Sequence, residues 1–427
     1  MSDSSVRAGI VVTGTEVLTG RISDRNGPWL AEQLRVFGVD IGQIVVVGDR
    51  PDDLRSALAH LAGVGVDLIV TSGGLGPTAD DLTAELVGDF QGRPSELDPA
   101  LEQRIAKIVE GLAAGRGWRR DPAATAAGVR KQALVPRGAR VLEPIGTAPG
   151  LVVAPADGRT GPPIVVLPGP PRELQPMWRV ALDDPTVRAA LADRAELRQR
   201  TMRIWNVPES ELAATLRAAG RNADELAGLE ITTCLRSGEL EVVTRYGSAA
   251  QPAYERLQAA ILTAHGDAVF SPDGQTIDEI VAAGLRGRGL TIATAESCTA
   301  GLLAGRLTDL AGSSDYVLGG LVTYSDEAKR DLLGVADELL HTVGAVSAEV
   351  AAAMAEGARR SLRANIGVGV TGIAGPGGGT PDKPVGLVHL CAASEDHVLP
   401  ARVVIPGSRA DVRNRSVVIA LHLIRRL

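Results

Sequence analysis

Aromatic residues are scarce in this chain, cysteines are few, and there is no excess of positive charge. Phe, Trp and Tyr make up 3% of the 427 residues and the formal net charge is −7. That balance supplies neither a phosphate-coating basic surface nor a row of base-stacking rings, which argues against direct binding of nucleic acid. The three cysteines, Cys234, Cys298 and Cys391, stand far apart with no CxxC or Cys/His pairing. Neither a disulfide framework nor a zinc site is implied, and a reducing compartment fits. No apolar run approaches the roughly 20 residues that span a bilayer, and MSDSSVRAGIVVTG lacks the apolar core of a secretory leader. The expectation is a cytoplasmic protein without a membrane partner.

What the chain does have is material for cores, with 45% hydrophobic and 22% charged residues. Its length suits two or three domains. The first stretch alternates β-branched runs with amphipathic segments: AGIVVTG, a helix around Asn26 to Phe37, IGQIVVVGD, a helix over Asp52 to Leu61, VDLIVTSGG, and later Ile164 to Leu167. This is the βαβ rhythm of a parallel sheet covered by helices. From Trp178 to Asp267 the pattern changes to a small α+β module, with strands at TMRIWNV, LEITTCL and ELEVVTRYG and a helix from Pro208 to Ala219. After Thr276 the α/β alternation returns, with strands at TIATAE, YVLGGLVTY and IGVGVTG and helices to Leu285, from Thr299 and from Ser347 to Leu362. The expected division is 1–177, 178–267 and 268–427: two α/β domains joined by a small α+β module.

Two loops interrupt the rhythm just after a strand, where ligands of open α/β sheets bind. In TSGGLGPTADDLT, Gly73, Gly74 and Gly76 let backbone N–H groups approach an anion, and Asp80 and Asp81 stand where a helix should begin. Acids there suit a divalent cation, or they cap the helix around a tight turn. In TIATAESCTAGLLAGRL, an apolar strand runs into Glu296, Ser297, Cys298 and Thr299, with a helix expected at once. Ser297 there is either a nucleophile with helix N–H groups stabilising an oxyanion, or a helix cap together with Thr299. Cys298 is a rival nucleophile without a histidine suitably near, and is expected to be packed. Tyr324 at a strand end and Lys329 on the following helix offer a base for the serine if burial depresses the amine. The loop TGIAGPGGGTPDKPVG carries Thr371, Gly372, Gly375, Gly377 and Lys383, suited to phosphate contact or to a long connection. Arg409 and Arg413, four apart at a helix start, could grip a phosphate or lie on a solvated face.

Taken together, the motifs resemble a known family. GTEVLTG with Glu16 and Asn26, SGGLGPTADDLT, KQALVP with Lys131, GTAPG and LPGPPREL are similar to the N-terminal domain of the CinA (competence/damage-inducible) family, whose fold is molybdopterin-binding-like. The middle stretch resembles the family's KH-like linker. AESCTAG, AGSSDYVLGGLVTYSDEAK, GAVSAEVA, TGIAGPGGGTPDKPVG and SRADVR resemble its C-terminal domain. The resemblance implies pyridine-nucleotide salvage by a homodimer with two hydrolytic sites. The C-terminal site would deamidate nicotinamide mononucleotide through Ser297, with Tyr324 and Lys329 activating it and no cofactor. Thr371 would position the amide. Glu296, Thr299, Gly372, Gly375, Gly377, Lys383, Arg409 and Arg413 would bind substrate, the two arginines at the 5′-phosphate. The N-terminal site would split ADP-ribose to AMP and ribose 5-phosphate with a divalent metal such as Mg held near Glu16, Asp80 and Asp81. Gly73, Gly74, Gly76, Asn26 and Lys131 would contact the nucleotide. Where the family usually has asparagines, this chain has Val129 and Glu143. A pterin- or nucleotide-binding module without turnover, and an interaction protein of DNA uptake or repair, are the competing expectations.

Overall fold

The computed structural model describes residues 6–114, 121–220, 225–236 and 238–427. The chain forms two compact units, one built from residues up to Arg198 with Gly247–Ala249, the other from Gln199–Tyr246 and Ala250–Leu427. Each is described by itself.

In the first unit, eight strands form in chain order: β1 (Arg7–Thr13), β2 (Asp40–Val47), β3 (Leu68–Ser72), β4 (Ser95–Leu97), β5 (Leu134–Pro136), β6 (Arg140–Leu142), β7 (Gly150–Val153) and β8 (Ile164–Leu167). Six of them make one sheet in the order β2-β1-β3-β8-β7-β6, and β4 pairs with β5. The pairs β1 to β2, β1 to β3 and β3 to β8 are parallel. The edge strand β2 is half-exposed and keeps polar residues, whereas burial on both faces explains why β1, β3 and β8 read as apolar runs. Along them, Val11, Ile69 and Val166 join one core, while Ile10, Val70 and Val165 face the other. The helix Pro171–Ala181 runs through residue 177. The first unit therefore continues past the expected boundary to Arg198.

The second unit holds two sheets. β9 (Leu197–Trp205), β10 (Leu229–Arg236), β11 (Glu239–Gly247) and β12 (Val269–Ser271) make an α+β module in the order β10-β11-β9-β12. β13 (Ile292–Glu296), β14 (Val317–Val322), β15 (Ile366–Gly372), β16 (Leu387–Ala393) and β17 (Val398–Val404) follow in the order β14-β13-β15-β16-β17. β13 is parallel to both β14 and β15, whereas β16 and β17 run antiparallel. Gly367 and Gly369 on β15 lie directly under the Ala355 and Ala351 carbonyls of the helix Ala348–Leu362, where any side chain would collide. That close approach is what the alternating glycines of IGVGVTG permit.

The two α/β sheets share a layout. In each, the second strand pairs on one side of the first and the third on the other, so connections diverge between β1 and β3 and again between β13 and β15. Such a divergence opens a crevice at the carboxyl ends of the strands. Thr13 and Ser72 end the first pair of strands, Glu296 and Gly372 the second. Both candidate loops leave from those ends. No described helix is long and apolar enough to cross a membrane.

Candidate active sites

Ser297 follows the last residue of β13 and is half-buried. Its backbone N–H donates to the Val370 carbonyl of β15 at 2.9 Å, and the Glu296 carbonyl accepts from Thr323 after β14 at 2.9 Å. The serine is thereby suspended at the crevice between its two neighbouring strands. The backbone then turns sharply through Ala300, at φ 49°, and Gly301, at φ 91°. A positive φ at alanine is strained, and such strain persists only where surroundings enforce it.

Glu296 and Arg413 supply that enforcement. The helix after the turn is Leu302–Leu307, starting later than Thr299. The buried Glu296 carboxylate accepts from the N–H groups of Gly301 at 2.9 Å, Leu303 at 3.0 Å and Ala304 at 2.8 Å, and from Thr294 Oγ1 at 3.1 Å. Leu302 donates to the Thr299 carbonyl. The first-turn N–H groups expected to stabilise an oxyanion are therefore already satisfied. Glu296 is an internal cap, and Thr299 is fully buried with an unpartnered hydroxyl. Arg413, expected at a phosphate, donates from Nε to the Cys298 carbonyl and from Nη2 to the Thr299 carbonyl, both at 3.0 Å. Its two-pronged guanidinium clamps the turn.

Lys329, on the helix Asp326–Leu333, is buried, and its Nζ donates to the carbonyls of Tyr324 at 3.2 Å and Ser325 at 3.4 Å. Burial holds this amine below the ordinary lysine range, against the opposing pull of Asp326 and a smaller one from Cys298. Depression by desolvation is what a lysine needs to accept a proton. Cys298 is buried in the core, and burial pushes its thiol up to about 11, with Glu296 adding to the rise while nearby backbone N–H groups and Arg413 oppose it. A thiol so protonated is a poor nucleophile.

Arg409 brackets the opening. It donates from Nη1 to the Gly375 carbonyl at 2.9 Å and from Nη2 to the Tyr324 hydroxyl at 3.2 Å. The exposed Tyr324, following β14, is thus joined to the glycine-rich loop following β15. Thr371 donates to the Ala345 carbonyl at 2.8 Å and Lys383 Nζ to the Val343 carbonyl at 2.6 Å, so both also brace backbone. Gly372 packs against Leu387 and Val388, whereas Gly377 lies in open space.

In the first unit, Gly73, Gly74 and Gly76 line a cavity of about 360 Å³ together with Glu16, Asp80 and Asp81. Gly73, at φ 104°, passes Thr13 so closely that a side chain would meet its carbonyl at 2.6 Å. Three further residues line the same cavity and were not singled out from the sequence: Asp49, Gln132 and Glu173. Asp49 closes the run IVVVGD and Glu173 lies in LPGPPREL, so both sat inside recognised motifs. Glu173 is buried, and that burial raises its carboxyl above the usual range despite Arg172.

The helix expected at Asp80 begins at Thr83. Asp80 and Asp81 instead turn back on Thr78, whose N–H donates to Asp81 Oδ2 at 3.0 Å and whose hydroxyl donates to Asp80 Oδ1 at 2.5 Å. Lys131 Nζ donates to the Thr78 carbonyl. The Thr78 hydrogen bond, with a smaller contribution from Lys131, lowers the Asp80 carboxyl. Asn26, expected at the ligand, is buried in the wall and donates to Ser72 Oγ at 2.8 Å and to the Gly169 carbonyl at 2.6 Å. Val129 belongs to the core and Glu143 pairs with Arg104 at 3.4 Å, away from the cavity lining. The carboxylate oxygens suit a hard divalent cation. Among the described residues, however, no three His, Cys, Asp or Glu side chains converge on one metal position.

Residues 9–189 match the family described as probable molybdopterin binding domain, and residues 274–427 match the CinA C-terminal domain. These matches define an α/β protein with a molybdopterin-binding-like domain followed by a CinA domain. A CinA-like protein of Mycobacterium sp. (strain MCS) is 56% identical over 423 residues, covering 99% of each chain. Another, from Mycolicibacterium gilvum, is 57% identical over 99% of this chain and 98% of its own. The chain belongs to the CinA-like family. The crystal structure of competence/damage inducible protein CihA from Agrobacterium tumefaciens is 48% identical, covers 35% of this chain and 93% of its own, and superposes with a TM-score of 0.34.

Proposed function

We propose that the C-terminal domain is a serine amidohydrolase that converts nicotinamide mononucleotide to nicotinic acid mononucleotide and ammonia. The observation that carries this reading is the clamped Ser297 turn at the sheet crevice, with a buried lysine held below its ordinary pKa on the adjoining segment. Ser297 Oγ attacks the carboxamide carbon while its proton passes to the Lys329 side, with Tyr324 as the exposed relay. The C–N bond breaks, ammonia leaves with that proton, and water then hydrolyses the acyl-serine to the carboxylate. Arg409, at the mouth, takes the 5′-phosphate, whereas Arg413 holds the turn. The test is ammonia release from nicotinamide mononucleotide by wild type and Ser297→Ala. Normal turnover by the variant would remove Ser297 as nucleophile.

For the N-terminal cavity we propose hydrolysis of ADP-ribose to AMP and ribose 5-phosphate. Glu16, Asp80 and Asp81 would hold a divalent cation such as Mg, which when bound offsets charge on the pyrophosphate. The Gly73 to Gly76 backbone would approach the phosphates. That no three acids converge among the described residues favours a second reading, a nucleotide- or pterin-binding module without turnover. AMP production from ADP-ribose with added Mg, compared with calorimetric binding, separates the two. A homodimeric, cytoplasmic pyridine-nucleotide salvage enzyme is the whole-chain proposal. A DNA-directed role accords poorly with a net charge of −7.

A further inference from the structure

We propose that the second unit carries a binding site for a small phosphate-bearing ligand of nucleotide size, between the α+β module and the helix Arg409–Ile424. A cavity of about 690 Å³ opens there. That volume falls in the range of small-molecule sites, about 300 to 1,000 Å³. One wall is Trp205, Asn206, Asp267 and Ala268 from the module; the other comes from β17, the last helix and the two residues after it.

Charge is the first argument. Arg415, Arg425 and Arg426 line the cavity, and Asp267 is the one acidic lining residue beside them. Among the described residues none of the three guanidinium groups has an anionic partner; Arg425 lies over the Phe270 ring at 5.6 Å, and its Nε is buried without a hydrogen bond. Burial, with the neighbouring charge of Arg426 behind it, also holds Arg425 below the ordinary arginine range. Arg415 and Arg425 are half-buried while Arg426 is exposed, so three cations stand on one wall free to meet an incoming anion. A guanidinium fork matches phosphate oxygens two at a time, and a phosphate offers enough charge for several forks.

The second argument is shape. Trp205 stacks on His422 at 3.8 Å between ring centres and 16° between planes. Val403, Ile405, Ile419 and Leu423 extend that apolar wall. An apolar surface beside paired arginines fits a ligand with a flat ring at one end and a phosphate at the other. His422 Nε2 is 2.7 Å from Glu239 Oε1, which locks the stacked pair to the module and leaves the arginines as the groups that face the ligand. Neither hydrolytic reading is needed for this assignment.

The test uses the full chain and AMP as probe, titrated calorimetrically. The titrations are run without divalent cation in the Asp80→Asn/Asp81→Asn background, which sets aside AMP held at the N-terminal cavity, and AMP is expected to bind there with one site. Arg415→Gln/Arg426→Gln should weaken binding about tenfold or more, the loss expected for charge-assisted contacts. Near-UV circular dichroism confirms folding, and the single exposed change Arg426→Gln, expected to weaken binding several-fold, serves if the double variant does not fold. Unchanged AMP affinity in the arginine variants would overturn the site, as would no AMP binding at millimolar concentration. Capture of an aspartate-rich peptide in place of AMP would assign the hollow to a protein partner and equally overturn it.

Discussion

Arg413 reaches across 115 residues of sequence to hold the carbonyl of Cys298, and its second prong takes the next carbonyl, that of Thr299. The turn bearing Ser297 is thus held from below by an arginine and from within by the Glu296 carboxylate, with the strained Ala300 between them.

The clamp predicts different losses at the two arginines. Arg413→Ala should lower kcat for ammonia release about 100-fold with little change in KM, because small displacements of a nucleophile cost that much. Arg409→Ala, by contrast, should act mainly on KM. Steady-state kinetics with nicotinamide mononucleotide separate them, and a pure KM effect at Arg413 would return it to the phosphate.

Lys329 predicts a pH dependence. With its pKa held below the ordinary 10.5 by burial, the neutral amine forms at lower pH than in a free lysine. The kcat/KM profile should rise with pH on a limb below 10.5, and Lys329→Arg should abolish turnover while the fold persists. A profile without that limb would exclude the lysine as base.

The cysteines predict an ordered reactivity. Cys234 is exposed, and Cys298 and Cys391 are buried with thiols pushed up to about 11 from 9.0. A disulfide reagent should titrate one thiol in the native protein and three after denaturation. The folded state retains these protons longer than the unfolded one, so the stability they contribute is present below pH 9 and lost between 9 and 11. Cys298→Ala should flatten part of that fall, measured by urea unfolding.

Glu173 predicts a trade of stability for activity. Its folded pKa is raised above 4.5, so its stabilising contribution is present below pH 4.5 and lost as the carboxyl ionises. Glu173→Gln should therefore melt higher than wild type at pH 7 and produce less AMP from ADP-ribose. A variant with lower Tm and unaltered product formation would make Glu173 a structural residue.

Much of the fold was legible because buried parallel strands are unbroken apolar runs, as LIVTS and IATAE are. The antiparallel half was not: β17 is an edge strand, VLPARVV, whose proline and arginine interrupt the apolar run, and its pairing with β16 carries no signature in the sequence. In the site, the placement of Ser297, Tyr324 and Thr371 at three strand ends followed from the motifs. The partners of Glu296, Arg413 and Asn26 did not, since a carboxylate that caps from inside and an arginine that grips distant carbonyls leave no periodicity in the sequence.

The helix Arg409–Ile424 meets the Ser297 turn through Arg413 and leads to the cationic hollow at Arg425. Twelve residues of helical rise separate those points, about 18 Å of stiff rod. A five-degree change in the helix axis about its hollow end would shift the Arg413 end, and with it the Ser297 turn, by about 1.5 Å.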